Sequence, residues 1–258
     1  MNRYLVFFLF ATCIFASYAH GYVLEGIQPL APYGVFSTFS AESLEKGKSA
    51  VAIGAERSWQ PDYYRFIAQY AFGISDSTEI DITIPYDLAW RESIYGLEDI
   101  AVVLKHRFFD EGKYGPSFAL IVSGSLPTGR QEFTTDGSIG GGIVASKKVG
   151  PVYGHADILY ERNGSRQYPD DITLSAGLDF SAAHNFKILG EIYAVKSNPG
   201  KFDKVEARFG YRIVTAENLF TTIGAAFDLK NPQYRLLLTL TYHFPTEKKQ
   251  IQKINEEE

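Results

Sequence analysis

The chain has 258 residues, a formal net charge of −5 at pH 7 and 45% hydrophobic residues, a composition that excludes wholesale disorder. With 21% charged residues and an acidic balance, it offers no basic field for a nucleic-acid backbone, so we exclude nucleic acid as a partner. The 17 Tyr, 19 Phe and 23 Gly, beside one Cys and one Met, favour many strands and turns over the helices of an α/β enzyme.

The amino terminus has the pattern of a secretory signal peptide. A short basic start precedes an apolar run over 4–15, and Ser17-Tyr18-Ala19 supplies the small-x-small motif that signal peptidase recognises. The run is shorter than the roughly 20 residues that a helix needs to cross a bilayer, which disfavours a retained anchor. We therefore predict a signal peptide over 1–19. Its removal takes Cys13 away, so the mature chain has no thiol for a disulfide or a Cys-metal site.

Apolar and polar residues alternate strictly in many segments of the mature chain. In 234–244, Tyr, Leu and Phe mostly alternate with Arg, Thr and His, and 80–90 and 205–213 repeat the pattern. About twelve such segments are predicted strands, an even number that suits a closed bacterial barrel. Their bounds are 49–59, 62–73, 78–90, 97–109, 116–126, 137–148, 152–162, 171–180, 186–196, 203–214, 218–228 and 233–244.

We predict an all-β fold, a closed antiparallel transmembrane β-barrel of about 12 strands. The alternative is a secreted, soluble β-sandwich or ligand-binding barrel, because alternation does not say whether the apolar face meets lipid or a core. Strands of about eleven residues have membrane-crossing length, and aromatic residues gather at strand ends where interfacial girdles lie; both features favour the membrane barrel. These aromatic residues are Trp59, Tyr63, Tyr64, Tyr86, Trp90, Phe108, Phe109, Tyr160, Phe180, Tyr242 and Phe244.

The predicted barrel occupies residues 49–244 and leaves two flanking segments. Residues 20–48 are expected to be a periplasmic segment or a plug, and 245–258 a charged, solvated tail. The connections alternate between tight turns and some longer loops. We expect the short turns to face the periplasm and the others the outside, in the outer membrane.

One hairpin, Gly96 to Arg130, carries a G-x-x-D strand, a K-x-R-F end, a turn to G-P and an L-P-T-G exit. It resembles the outer-membrane, transporter-like family of meta-pathway phenol-degradation proteins. The resemblance implies an outer-membrane location and uptake of a small solute, apolar or aromatic. The residues that fit are Gly96, Asp99, Lys105, Arg107, Phe108, Gly115, Pro116, Leu126, Pro127, Thr128 and Gly129.

The last strand ends in an aromatic pair, Tyr242 and Phe244. This pair resembles the carboxyl-terminal assembly signal of outer-membrane barrels, which implies the barrel-assembly machinery and outer-membrane lipids as partners. Fourteen residues follow Phe244, whereas the usual signal ends the chain.

Charged residues fall on the polar face of the predicted strands. Registers chosen about each loop set carboxylates opposite cations and predict a lumen crossed by ion pairs, which either line a narrow water path or fill a small barrel. The predicted pairs are Glu56 with Arg65, Glu79 with Arg107, Asp81 with Lys105, Glu191 with Arg208, Asp228 with Arg235 and Asp179 with Lys187. The candidate lumen-lining residues are Glu56, Arg65, Asp81, Asp87, Asp99, Lys105, Arg107, His155, Asp157, Glu161, Asp179, Lys187, Glu191, Arg208, Arg212, Asp228 and Arg235.

Several polar-face residues have no predicted partner. Asp87 and Asp99 are expected to face each other near the outer mouth, where they would favour cations. His155, Asp157 and Glu161 share one strand face. A metal site at His155 and Asp157 lacks a third and fourth ligand, so we predict neither a metal nor a cofactor.

The sequence favours a monomeric channel or transporter for small solutes over two other classes. A purely structural barrel is one alternative, which conductance would separate from a channel. An outer-membrane lipid-modifying enzyme is the other. It would need Ser and His within reach of each other, and the chain has neither a G-x-S-x-G elbow nor a zinc-protease motif, so we predict that it is not an enzyme.

Overall fold

The structure is a computed structural model that describes residues 28–59, 62–89, 94–165, 169–197, 201–231 and 233–245. The predicted signal peptide, Trp90 and the tail from 246 onward lie outside the described residues. Within the described part of the chain, no helix is both long and apolar enough to cross a membrane.

Antiparallel strands form one sheet that closes on itself, because the first strand pairs with the last, from Ala50 opposite His243 to Ser58 opposite Arg235. The alternating sequence predicts these strands closely. They are β1 (Ser49–Trp59), β2 (Asp62–Ser75), β3 (Thr78–Ala89), β4 (Ile94–Leu97), β5 (Ile100–Phe109), β6 (Ser117–Leu126), β7 (Ser138–Val149), β8 (Val152–Asn163), β9 (Asp171–Ala183), β10 (Phe186–Lys196), β11 (Lys204–Ala216), β12 (Leu219–Asp228) and β13 (Tyr234–His243).

The short strand β4 and the longer β5 both pair with β3 and share one position in the barrel wall, which therefore has twelve positions. The sequence predicts one continuous strand over 97–109, and the structure interrupts it at Glu98 and Asp99. Both carboxylates are buried and bonded to other parts of the barrel. The break shifts the pairing by one residue, from Tyr86 opposite Leu97 to Thr83 opposite Ala101. The closed antiparallel barrel of twelve strands is thus confirmed.

Alternation gives the wall an apolar outside and a polar inside. Along β2, buried side chains alternate with exposed ones from Tyr63 to Phe72. Isoleucine, leucine and aromatic side chains are broadly exposed on the outer face, for example Ile53 at 68%. A soluble barrel would bury such side chains in its interior, whereas a barrel in lipid presents them outward. Tyr63 is buried inside, so its predicted place in the outer aromatic girdle is wrong.

The two ends of the barrel differ in their connections. At the turn end, β1 begins and β13 finishes, and turns with left-handed residues such as Gly150 and Asn218 join the strands. The opposite loop end carries mostly longer connections, although only two residues separate β1 from β2 there and the turn-end connection over 110–116 is as long as that over 164–170. The turn-end connections are 76–77, 110–116, 150–151, 184–185 and 217–218, and the loop-end connections include 127–137, 164–170, 197–203 and 229–233.

Candidate functional site

Residues 28–48, the luminal segment, lie inside the barrel as far as Leu44, and residues 45–47 are exposed at the turn end. The segment folds into a small hairpin, in which Val35 N donates to Thr38 O at 3.0 Å and Ser40 N to Tyr33 O at 3.0 Å. Its Leu30, Phe39 and other apolar side chains are almost fully buried. The segment therefore occupies the lumen as a folded unit.

Hydrogen bonds join the luminal segment to inward-facing side chains on strands around the barrel. Leu44 N donates to Glu79 Oε2 on β3 at 2.7 Å, and Phe39 N donates to Asp157 Oδ2 on β8 at 2.8 Å. On the opposite side, Arg212 Nη2 on β11 donates to Gly34 O at 2.9 Å. These wall residues lie toward the middle and the turn end of their strands. The segment consequently fills the turn-end half of the lumen.

Two inner-wall glycines make room for the ring of Phe36. Gly210 and Gly224 are register partners on β11 and β12. A Cβ atom added at Gly224 would lie 2.4 Å from Phe36 Cε1, and one added at Gly210 would lie 2.9 Å from Phe36 Cζ. Any side chain at Gly224 would therefore displace the ring.

Charged side chains buried in the lumen form an ion-pair ladder across the wall. Glu191 Oε1 lies 3.1 Å from Arg208 Nη1, and Arg208 Nη2 lies 2.7 Å from Glu206 Oε2. Arg235 bonds the same Glu206 oxygen and also reaches Glu56 Oε2 at 3.2 Å. Three carboxylates and two guanidinium groups thus alternate from β10 to β1, which offsets the desolvation cost of each charge.

Other candidate lumen residues are also bonded to charged neighbours. Arg65 Nη2 donates to Glu98 Oε2 at 2.9 Å, and Lys187 Nζ lies 2.8 Å from Asp179 Oδ2. Arg107 bonds Glu42 of the luminal segment.

Two of the predicted registers are correct: Glu56 lies opposite Arg65, and Glu191 lies opposite Arg208. The predicted contact of Asp179 with Lys187 also forms, although Asp179 is opposite Leu189.

The predicted pairs on β3 and on β12 are wrong. Glu79 lies opposite Lys105 rather than Arg107, and their charged atoms are 2.6 Å apart. The buried Asp81 is opposite Val103. Asp228 does not pair with Arg235, because Arg235 is opposite Ala226. Each register differs from the prediction by two residues. An even shift keeps every side chain on its predicted face while it changes the partner.

The expectation that Asp87 and Asp99 lack partners and face each other is wrong. Asp87 lies opposite Gly96, with Oδ1 4.0 Å from Arg65 Nε. Asp99 Oδ2 accepts bonds from Thr135 N at 2.8 Å and Thr135 Oγ1 at 2.9 Å, which tether the loop over 127–137. Burial alone would raise the pKa of Asp99, but these and other hydrogen bonds outweigh it and hold that pKa below its usual value.

His155, Asp157 and Glu161 share one face of β8, and each makes a different kind of contact. His155 Nδ1 lies 2.9 Å from Ser146 Oγ, and Asp157 accepts bonds from Phe39 N and from Ser175 Oγ at 2.6 Å. Glu161 lies nearer the loop end and lines a cavity. Among the described residues, no group of three or more His, Cys, Asp or Glu side chains is arranged to hold a metal ion.

Ser146 and His155 form a Ser–His pair that no local sequence motif predicts, because the two residues lie opposite each other on neighbouring strands, β7 and β8. Both side chains are buried, and Ala41 N of the luminal segment donates to Ser146 Oγ at 2.8 Å. The luminal segment thus covers the hydroxyl that a substrate would have to reach.

The loop-end half of the lumen holds a cavity of about 310 Å³, the vestibule. Ser37 and Phe39 of the luminal segment line its inner end. Carboxylates lie on β8, β9 and β12, at the break between β4 and β5 and in the loop before β11. Cations lie on β2 and β11, hydroxyls on β3 and β6, and an apolar strip beside them. The carboxylates are Glu98, Asp99, Glu161, Asp171, Asp203 and Asp228, the cations are Arg65 and Lys204, the hydroxyls include Thr83, Ser123 and Ser125, and the apolar strip includes Val103, Ile121 and Leu159.

Sequence reasoning missed Asp171 and Asp203 as vestibule residues. Asp171 begins a predicted strand directly opposite Glu161, and this register was the available signal. Asp203 lies in a loop, where its carboxylate accepts a bond from Ser197 N at 2.6 Å. Loop conformation has no such periodic signal.

Comparisons with known proteins identify the fold but no sequence family. No family model and no curated protein matches the chain. The KdgM porin superposes with a TM-score of 0.59 at 10% identity, over 76% of this chain and 99% of the porin. The NanC porin gives 0.60 at 7% identity, over 74% and 98%. The COG4313 outer membrane channel from Pseudomonas putida F1 gives 0.54 at 12% identity, over 79% and 98%.

These solved structures share with this chain a closed antiparallel barrel over almost their entire length. At such low identity the likeness concerns the fold. Combined with the apolar exterior and the membrane-crossing strands, the fold is that of an outer-membrane β-barrel.

Proposed function

We propose that the protein is a monomeric outer-membrane channel that passes small solutes through the vestibule and past the luminal segment. The observation that carries this proposal is the composition of the lumen. An interior with many polar and charged side chains holds a cavity of about 310 Å³, which ends on the luminal segment, where Phe39 packs with Val103 and Ile121 of the wall. Among proteins with this fold, two are named porins and one an outer membrane channel.

The solute class we propose is small and apolar or aromatic. The resemblance of the Gly96 to Arg130 hairpin to the phenol-degradation family supports this choice. The vestibule strip of Phe39, Val103, Ile121 and Leu159 offers such a solute an apolar surface beside the carboxylates. We propose that the loop end faces outside, so the solute enters at the vestibule.

Conductance of the purified chain in a planar bilayer tests the channel. We expect small, resolvable openings, since a solute would have to pass the luminal segment in the turn-end half of the lumen. Liposome uptake of a neutral aromatic solute, compared with a sugar of similar size, tests the solute class. A barrel that inserts but neither conducts nor transports would contradict the proposal.

The second candidate is a structural barrel without transport. It is favoured by the luminal segment, whose buried side chains fill the turn-end half of the lumen. Silence of the full chain in the bilayer would support it. A lipid-modifying enzyme is disfavoured because the luminal segment covers Ser146, and a lipase assay on the purified chain tests that assignment.

The proposed location depends on assembly, for which Tyr242 and Phe244 are the proposed signal. Both rings are exposed on the outside of the barrel and contact each other at 5.2 Å between centroids. Replacing both with Ala should leave most of the protein unassembled, measured by the mobility difference between unheated and boiled samples on a gel. Normal assembly of that variant would remove these residues from the proposal. Tyr234→Ala with Leu236→Ala, on the same outer face near the loop end, is the matched control.

A further inference from the structure

The tip of the luminal segment binds a carboxylate through its backbone. The N–H groups of Phe36, Ser37 and Thr38 donate to the same oxygen, Glu191 Oε2, at 3.0, 2.8 and 2.8 Å. Thr38 Oγ1 adds a fourth bond at 2.9 Å. Successive N–H groups that converge on one anion form a nest, a backbone site that recognises negative charge without a basic side chain.

The other oxygen of the same carboxylate belongs to the wall. Glu191 Oε1 lies 3.1 Å from Arg208 Nη1, and the fully buried Arg208 also donates to Ser37 Oγ. Arg208 therefore orients the carboxylate so that Oε2 faces the nest. The contact joins wall and segment through a single charged group, and hydrogen bonds to charged groups are about twice as strong as neutral ones.

The rest of the hairpin is compatible with a tip that leaves the wall. Two of its backbone bonds close the hairpin on itself, Val35 N to Thr38 O and Ser40 N to Tyr33 O. The next residue along the chain, Phe39, again donates its N–H to a wall carboxylate, Asp157. The hairpin thus keeps its own fold through internal bonds. The wall holds it through the carboxylates of Glu191 and Asp157 and through Arg212, which donates to Gly34 O and Val35 O.

We propose that residues 36–38 are an exchangeable anion-binding site for carboxylates, and that Glu191 is its resident ligand. When Glu191 is neutralised or replaced, the tip of the luminal segment is released from the wall. Release should also widen the solute path through the lumen, and this second step rests on the proposed channel function. The binding site itself does not depend on that function.

Thiol labelling measures release directly. Ser43 is buried in the luminal segment, and its hydroxyl makes no hydrogen bond within the described structure, so Ser43→Cys is a mild probe. In a Cys13→Ser background, an impermeant thiol reagent should modify this cysteine slowly. Adding Glu191→Gln should accelerate labelling by about tenfold or more, because three N–H groups lose their charged acceptor.

A matched control is Asp179→Asn. Asp179 is a buried carboxylate in the turn-end half of the same inner wall, and it pairs with Lys187 rather than with the luminal segment. Labelling should stay at the parent rate in this variant. Equal rates in the parent and in Glu191→Gln would overturn the proposal.

Acetate distinguishes an anion site from general loosening. Glu191→Ala removes the carboxylate and leaves space in front of the nest, so sodium acetate at constant ionic strength should restore slow labelling of Ser43→Cys. In Glu191→Gln the amide occupies that space, and acetate should have no effect. If acetate leaves the Glu191→Ala variant as reactive as before, the nest does not bind free carboxylates and the proposal fails.

Conductance separates this proposal from the channel function. A released tip should raise the conductance of Glu191→Gln above that of the parent in a planar bilayer. If both barrels are silent while labelling behaves as expected, the channel proposal fails and the anion site stands.

Discussion

The two halves of the lumen use the same kind of residue for different purposes. In the turn-end half, carboxylates such as Glu79 and Glu191 accept bonds from the backbone of the luminal segment. In the loop-end half, Glu161 and Asp171 lie opposite each other and line an open vestibule. Inward-facing acids thus bind the luminal segment in one half, whereas in the other half this facing pair lines a cavity.

This contrast explains why charge alone does not identify a pathway. A carboxylate that satisfies several N–H groups is part of the structure, and its removal leaves buried donors unpaired. A carboxylate beside another carboxylate in a cavity acts mainly through its field. Five variants probe the two halves of the lumen.

The largest effect is expected in the turn-end half, at the centre of the ion-pair ladder. Arg208→Leu leaves Glu191 and Glu206 without their shared cation in a buried site. We expect a loss of about 3–5 kcal/mol in the free energy of unfolding, as for other broken buried pairs. Urea unfolding in lipid vesicles, followed by tryptophan fluorescence, measures it.

Arg162→Leu is the control for Arg208→Leu, because Arg162 is exposed on the outer face of β8. Its stability should match the parent. Equal stability of both variants would show that the ladder contributes nothing to the fold.

The next effect concerns the space that Gly210 and Gly224 leave for the ring of Phe36. Gly224→Ala places a Cβ atom 2.4 Å from Phe36 Cε1 and should displace the ring from that space. Labelling of Ser43→Cys should rise several-fold, because the hairpin loses this packing contact. Gly54→Ala is the control, since its Cβ would meet its nearest atom, Thr239 Oγ1, at an ordinary 3.5 Å. Similar labelling rates in both variants would contradict the claim that packing of Phe36 against Gly224 holds the hairpin to the wall.

A smaller effect is expected in the loop-end half. Glu161→Gln with Asp171→Asn removes two neighbouring charges from the vestibule. The cation-to-anion permeability ratio should fall by about two- to fivefold, because a solvated charge pair contributes up to about 1 kcal/mol. Reversal potentials in a salt gradient measure it. Glu217→Gln, in an exposed turn at the other end, controls for net charge.

Neutralising Asp87 and Asp99 together should change selectivity less than neutralising the vestibule pair. Asp87 lies beside Arg65, and the Asp99 carboxylate is occupied by the 127–137 loop. A larger shift from Asp87→Asn with Asp99→Asn would contradict the expectation that Glu161 and Asp171 dominate the charge selectivity of the vestibule.

The smallest effect is a pH dependence of the 127–137 loop. Because hydrogen bonds hold the pKa of Asp99 below its usual value, its carboxylate stabilises the loop at neutral pH and above the ordinary pKa. This contribution is lost as the pH falls through the lowered pKa. The protection of Thr135 N from hydrogen exchange, which is the intrinsic exchange rate divided by the measured rate, should therefore fall in acid. Asp99→Asn should lower this protection at neutral pH and remove its dependence on pH.

Much of the vestibule and of the luminal contacts could not be predicted from the sequence. The sequence correctly predicts that Glu191 and Arg208 lie opposite each other, yet nothing local indicates that Glu191 binds a segment more than 150 residues earlier in the chain. For Asp81 and Asp228 it predicts the correct face and the wrong partners. The face of a residue is a local property, whereas its partner depends on the lengths of turns and on bulges between strands.

The sequence by itself determined the number of wall positions, the bounds of most strands and the direction of their side chains. Each follows from a period of two residues, which only a few neighbours define. The tertiary structure alone decided that residues 28–44 fold inside the lumen, that Phe36 lies against Gly210 and Gly224, and that Glu161 and Asp171 line a cavity. These features depend on closure of the barrel, which brings distant parts of the chain around one enclosed space.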